Sequence, residues 1–334
     1  MATESGAFST YNSVGNREDL RDAIYNIDPE ETPLGGLLGS TSIKAVRHDW
    51  QTDSLATPAA NAHIEGAAYS YAEVDPTVRV ANYAQISRKT VKITKTQDMV
   101  SKAGRGKELR YQLTKKSVEL RKDIEYDMVR DNASVAGSES AAREAASFPS
   151  FLTTNASRGT NGADGGWNSG TGIVDAATAG TQRSFTKALL DGTIELTFKS
   201  GGNPSVVMLS AYNKTVFSGF MTASGVAAFR YNYSKPDKRQ GIILAAADTY
   251  VSDFGTFAIM PNRVMSIDTA SSRNVLVIQP DMAERGVLRP FSQTTPAKTG
   301  DADNRVIDTE WTLIVKNEKA HGIVADVHGL TTTT

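Results

Sequence analysis

The sequence contains no cysteine among its 334 residues. That removes disulfide staples, thiolate catalysis and cysteine-based zinc sites together. It also lacks a charge bias: Lys plus Arg is 36 and Asp plus Glu is 37, a formal charge of -1. Attraction of the whole protein to nucleic acid is therefore not expected, although a local basic patch remains open. No apolar run approaches the roughly 18 residues a membrane span needs. The start, MATESGAFSTYNSVGNREDLRD, lacks the basic and apolar regions of a signal peptide. Histidine is scarce, with only His48, His63, His321 and His328. The last two are seven apart, which on a strand puts them on opposite faces and argues against a shared metal.

What the sequence does have is one very regular segment, GKELRYQLTKKSVELRKDIEYDMVRD. Leu109, Leu113, Leu120, Ile124 and Met128 keep helical spacings and line one side. A continuous helix over Lys107–Arg130 would be a rod of roughly 36 Å. Lys115 with Glu119 and Arg121 with Glu125 are expected as i,i+4 pairs on its wet side. The helix is expected to extend to about Ala146, with a long loop following to about Gly180.

Around this rod the chain divides by composition. Residues up to Gly39 read as an arm, with a short helix near Arg17–Asn26 that is broken by Pro29, Pro33, Gly35 and Gly36. Ser42 to Gln97 reads as a long β-rich excursion with an Ala-rich middle and too little apolar surface to bury within itself. From Ser184 onward, helix and strand patterns alternate: SFTKALLDGTIELTFKSGG, SVVMLS, AYNKTVFSGF, TYVSDFGTFAIMP and NVLVIQP. WTLIVKNEKAHGIVADVHG closes the chain as two strands around a turn at Asn317–Lys319. The class is α+β.

Enzyme motifs lack their structural context. Ser184–Lys187 is an S-x-x-K, Ser272–Asn274 an S-x-N and Lys298–Gly300 a KTG, in the order of serine β-lactamases. The KTG, however, sits in a Pro-flanked polar stretch rather than on a core strand. Ala103–Glu108 touches on a P-loop ending but carries Glu108 where a magnesium-binding hydroxyl would stand. No catalytic residue, cofactor or metal ligand is expected. Arg88, Lys89, Lys92 and Lys95 make a basic stretch suited to a solvated strand face, an acidic protein neighbour or phosphate.

The order of parts resembles the major capsid proteins of tailed bacteriophages, the Hong Kong 97 fold. The residues that carry the resemblance are NREDLRDAIYNIDPEETPLGGLL, RVANYAQISRKTVKITKTQ leading into the long helix, TYVSDFGTFAIMPNRVM, AERGVLRPF and WTLIVKNEKAHGIV. The resemblance implies an N-terminal arm at 1–41 and an extended E-loop at 42–98. It further implies a peripheral domain with a spine helix at 99–183 and 292–334, and an axial domain at 184–291. It implies a subunit that assembles with itself as hexamers and pentamers into an icosahedral head shell around double-stranded DNA, without a membrane, in the bacterial host cytoplasm. A portal protein, a separate scaffolding protein and decoration proteins are the other partners implied. Arg88, Lys89, Lys92 and Lys95 become candidate contacts to acidic groups of a neighbouring subunit. An encapsulin-like compartment shares the fold, and a tail-tube subunit is the other virion component considered. No cross-linking residues are assigned.

Overall fold

The computed structural model describes residues 30–69, 71, 73–220, 248–298 and 300–331. The helix expected near Arg17–Asn26 lies outside them. The described chain opens with α1 (Pro33–Leu37), β1 (Gly39–Ser42) and β2 (Arg47–Thr52). After a long excursion it returns through β3 (Val78–Tyr83), β4 (Gln85–Thr94) and α2 (Lys95–Met99). The rod is α3 (Glu108–Val129), a helix of 22 residues that spans roughly 33 Å. α4 (Phe148–Phe151), β5 (Ala156–Ser157), β6 (Gly166–Asn168) and β7 (Ile173–Asp175) follow. Next come α5 (Lys187–Lys199), β8 (Val206–Leu209), α6 (Ala211–Gly219), β9 (Thr249–Ser252) and β10 (Gly255–Pro261). The chain ends through α7 (Thr269–Ser272), β11 (Val275–Ile278), β12 (Ala283–Thr294), β13 (Ala302–Val315) and β14 (Gly322–Val324).

α3 forms because its interior holds no Gly or Pro and carries apolar residues at spacings of four and seven. Leu120, Ile124 and Met128 are fully buried, whereas Leu109 and Leu113 are half-buried. The expected extension to Ala146 does not form. Asn132 diverts the chain through side-chain bonds, donating from Nδ2 to the Ala145 carbonyl and pairing its backbone with Ser147. Val135 then bridges Glu144 across a turn containing Gly137 at φ 74°. A Cβ at Gly137 would stand 2.5 Å from Arg143 Cγ. The loop expected up to Gly180 instead holds α4 and the small antiparallel pair β6–β7.

Two sheets organise the rest. One has four strands in the order β1-β12-β13-β4. The other has six, in the order β5-β14-β11-β8-β10-β9. The central strands of the six-stranded sheet are apolar on both faces, and the period of two sorts them into separate cores. Val206, Met208, Leu276, Ile278 and Ile323 join the core under α3. Val207, Leu209, Val275, Val277 and Val324 join a second core closed by Leu190 and Ile194 of α5 and Phe217 of α6. The sheet is a wall shared by two interiors.

This wall changes the reading of the closing strands. β13 pairs with β12 and β4, but after the 3₁₀ turn at Glu318–Ala320 the return strand β14 pairs with β11 and β5. The two strands around the turn belong to different sheets, because Ile323 and Val324 each need a core on their own side. β12 also pairs with β13 from Ala283 to Thr294, with register shifts between Val287 and Arg289 and between Arg289 and Ser292, so the strand continues past residue 291.

Candidate assembly sites

The arm reaches the spine through one carboxylate. Glu125 is fully buried, and its Oε1 accepts from Leu34 N–H at 2.7 Å and from Asn262 Nδ2 at 2.7 Å. Its Oε2 accepts from Gly35 N–H at 2.7 Å. Gly35 suits this approach, since a Cβ there would lie 3.3 Å from Oε2. Burial pushes the Glu125 carboxyl above its usual range, against the pull of its three donors. The expected Arg121–Glu125 pair is therefore replaced by a junction of arm, spine and the segment after β10. Leu34 and Leu38 bury beside it in the α3 core, and β1 adds in parallel to β12 over Gly39–Ser42.

The root of the excursion is equally well held. β2 and β3 pair antiparallel over six residues, Arg47–Thr52 against Val78–Tyr83. Asn82, fully buried, donates to the Leu313 carbonyl at 2.8 Å and the Ala146 carbonyl at 3.3 Å. Its Oδ1 accepts from the N–H groups of Ala146 and Tyr83, both at 2.9 Å. Asp49 meets Arg79 at 2.7 Å and Arg47 at 3.1 Å, and Trp50 packs 6.0 Å from the Phe151 ring. The α2 segment docks on the spine through Asp98, which accepts from Leu109 N–H at 3.2 Å. That bond caps α3, whose own N-cap, Lys107, offers no capping side chain. Beyond the β2–β3 ladder, residues 53–77 form no helix or strand among those described.

Of the four basic candidates on β4 and α2, three are paired within their own subunit. Lys89 meets Asp123 at 2.5 Å, Lys95 meets Asp301 at 2.9 Å and Arg88 lies 3.9 Å from Asp308. Lys92 is exposed and has no ion-pair partner among the described residues. Asp308 belongs to a small network: Arg289 lies 3.6 Å from both Asp308 and Glu310, and Arg143 reaches Glu310 at 2.5 Å. These charges brace the four-stranded sheet.

The enzyme motifs do not converge. Lys187 pairs with Asp191 at 2.5 Å, Ser272 Oγ donates to the Thr269 carbonyl and Lys298 pairs with Asp303. The Lys187–Asp191 pair and the Tyr250 hydroxyl hold the lysine charge well above its usual range. No group of His, Asp and Glu among the described residues could hold a metal ion. No helix there is long and apolar enough to cross a membrane. His321 is buried: Nδ1 accepts from Gln279 N–H at 3.2 Å, Nε2 faces the Met282 carbonyl at 3.3 Å, and burial lowers its pKa to about 4. It is a neutral structural group. Sequence reasoning missed Glu125, Asn82 and Asp98; the signal available for Glu125 was its place beside Ile124, at the border of the apolar stripe.

Comparison with known proteins fits this geometry. A family model described as SU10 major capsid protein matches residues 4–328. A relative, the major capsid protein of Escherichia phage Phieco32, is 26% identical over 353 residues, covering 96% of this chain and 97% of its own. Among solved structures, the capsid of a native GTA particle matches with a TM-score of 0.60 at 11% identity, covering 95% of this chain and 97% of that one. A structure titled Gordonia phage Cozz matches at 0.58 and 11% identity, covering 97% and 96%. The SrpI encapsulin complex of Synechococcus elongatus PCC 7942 matches at 0.54 and 12% identity, covering 96% and 95%. Arm, excursion, spine and two-sheet body thus define a shell-forming subunit of the Hong Kong 97 fold. The chain belongs to the SU10 major capsid protein family: it is a phage major capsid protein, placed in the virion head as one of many copies.

Proposed function

We propose that the chain assembles as hexamers and pentamers into an icosahedral head that encloses double-stranded DNA. Assembly takes place in the bacterial host cytoplasm, with a separate scaffolding protein, a portal protein and decoration proteins as partners. The subunit performs no catalysis and uses no cofactor; its mechanism is the repetition of interfaces. The arm is 1–41, the E-loop 42–98, the peripheral domain 99–183 with 292–334, and the axial domain 184–291. The observation that carries the reading is the contrast between a tightly anchored loop root and a tip that buries nothing on its own subunit. A loop built that way needs a neighbour to lie on.

Negative-stain microscopy of the chain, expressed alone and with its scaffolding partner, tests the proposal. Closed shells are expected, and only open sheets or monomers in both preparations would sink it. An encapsulin-like compartment is the second reading, favoured by the similarity to the SrpI complex. Nuclease-protected DNA inside particles recovered from infected cells separates the two.

A further inference from the structure

Two arginines lie within reach of each other's charge and lack a counter-ion. Arg285 of β12 and Arg121 of α3 make no hydrogen bond and no ion pair among the described residues. Arg285 is half-buried. Burial and the nearby Arg121 charge both weaken its hold on its proton, and Glu125 offsets them only in part. The Glu125 oxygens are already taken by the Leu34 and Gly35 N–H groups and by Asn262. Four positions along the same strand the situation is different, since Arg289 lies 3.6 Å from both Asp308 and Glu310. A guanidinium withdrawn from water without a partner is a cost that folds normally avoid.

Arg285 also lines a cavity of about 380 Å³ between α3 and the four-stranded sheet. The walls are Ser40–Ser42 of β1, Ile124 of α3, Val287, Leu288 and Phe291 of β12 and Trp311 of β13. Among the described residues no carboxylate lines it, and Arg285 is its one charged group. Ile124 and Trp311 are buried whereas Phe291 is 42% exposed, so the cavity runs from the core to the surface. β1 is the edge of its sheet, which leaves the outer backbone groups of Ser40–Ser42 without a strand partner among the described residues. Apolar walls with a few placed polar groups are the usual make-up of a small-molecule site.

We propose that this cavity binds an organic anion, a carboxylate or phosphate head on a short apolar body. The head takes the counter-ion place beside Arg285, where a guanidinium fork can hold either oxyanion by two parallel bonds. Arg121 adds attraction from the rim. The body fills the space against Ile124, Leu288 and Trp311. A cation is repelled, and a neutral apolar molecule leaves the guanidinium unmatched. Because β1 forms one wall, an occupied cavity ties the arm strand to spine and sheet. The inference goes beyond the shell reading and does not depend on it.

The test titrates the free full-length subunit with octanoate and octyl phosphate by calorimetry, beside 1-octanol, inorganic phosphate and octylammonium. The two amphiphilic anions should compete for one site, and each of the other three should bind at least about tenfold more weakly. Arg285→Gln should weaken octanoate binding about tenfold or more. It should leave the thermal midpoint of the unliganded subunit unchanged or higher, because it removes an unmatched charge. Arg121→Gln should weaken binding about twofold, and only at low salt. A lower unliganded midpoint for Arg285→Gln marks a structural arginine and overturns the site. So does octanoate binding that this variant leaves unchanged, or octanol binding as tight as that of octanoate. A DNA duplex that displaces octanoate assigns the arginines to nucleic-acid phosphates and overturns it as well. An end-blocked peptide with one Glu between leucines separates the sources of the head. Displacement of octanoate by it supports the site and points to a carboxylate on another chain; octanoate binding that it leaves untouched supports the site and points to a free molecule.

Discussion

The root and the tip of the long excursion lie on one stretch of chain but solve opposite problems. At the root, Asn82 meets all four of its hydrogen-bonding demands inside the subunit, and Asp49 has two cationic partners. Toward the tip, Tyr69 and Tyr71 stand free. The spine shows the same division between Glu125, enclosed by three donors, and Lys115, which is exposed and forms no salt bridge among the described residues. Asn82 and Glu125 are thus satisfied within one copy, whereas the side chains of the tip stand exposed.

The sharpest way to break this comparison is at Glu125. Replacing it with Ala leaves the Leu34 and Gly35 N–H groups and Asn262 unpaired in the interior. The expected loss is about 3–5 kcal/mol, since each bond to a charged group contributes roughly 1.5–3 kcal/mol and their effects overlap. Urea denaturation of the free subunit would measure it. A midpoint equal to wild type would place the arm outside the folding unit.

His321 gives the next effect, through pH. Its folded pKa of about 4 lies below the 6.5 of a free imidazole. The unfolded chain therefore binds the proton first, and this contribution to stability is intact above pH 6.5. It falls as pH drops toward 4, by up to about 3 kcal/mol at roughly 1.4 kcal/mol per unit. Carboxylates titrate in the same window. The measurement is therefore the difference in pH slope between wild type and His321→Leu, and identical slopes would contradict the assignment.

Asp98→Ala removes the cap donated to the spine from α2 and should cost about 1 kcal/mol. Amide exchange at Leu109 would report the fraying directly. The smallest expected effect is from deleting residues 59–68 at the tip. Surface loop shortening changes stability by roughly 0.5 kcal/mol or less, whereas closed shells should be lost. A thermal midpoint several degrees lower would mean that the tip leans on its own subunit, and the contrast with the root would disappear.

The spine was legible because Leu120, Ile124 and Met128 repeat locally, within one helix. The strands SVVMLS and NVLVIQP were legible as buried runs. Their division between two cores was not, because each face is filled by residues from distant segments. Glu125 looked like a surface partner of Arg121, since nothing near it in sequence announces Leu34, 91 positions away. Lys95 and Lys89 belong to a basic stretch plain in the sequence. Their partners Asp301 and Asp123 depend on a strand register and a helix packing that no local pattern encodes. The turn at Glu318–Ala320 was visible as a turn, but its outcome was decided by β11, which offers β14 an edge flanked by an interior on each side.

The six-stranded wall has a mechanical consequence. β8 and β11, at its middle, carry apolar side chains into both interiors, so neither interior can shear past the other without dragging the same backbone. Force along these strands loads their cross-strand bonds together rather than peeling them one by one. A plate stiffened along its mid-plane resists bending in either sense. In a shell wall pushed outward by its contents, deformation would then concentrate at the seams between plates, leaving each plate's own shape nearly unchanged.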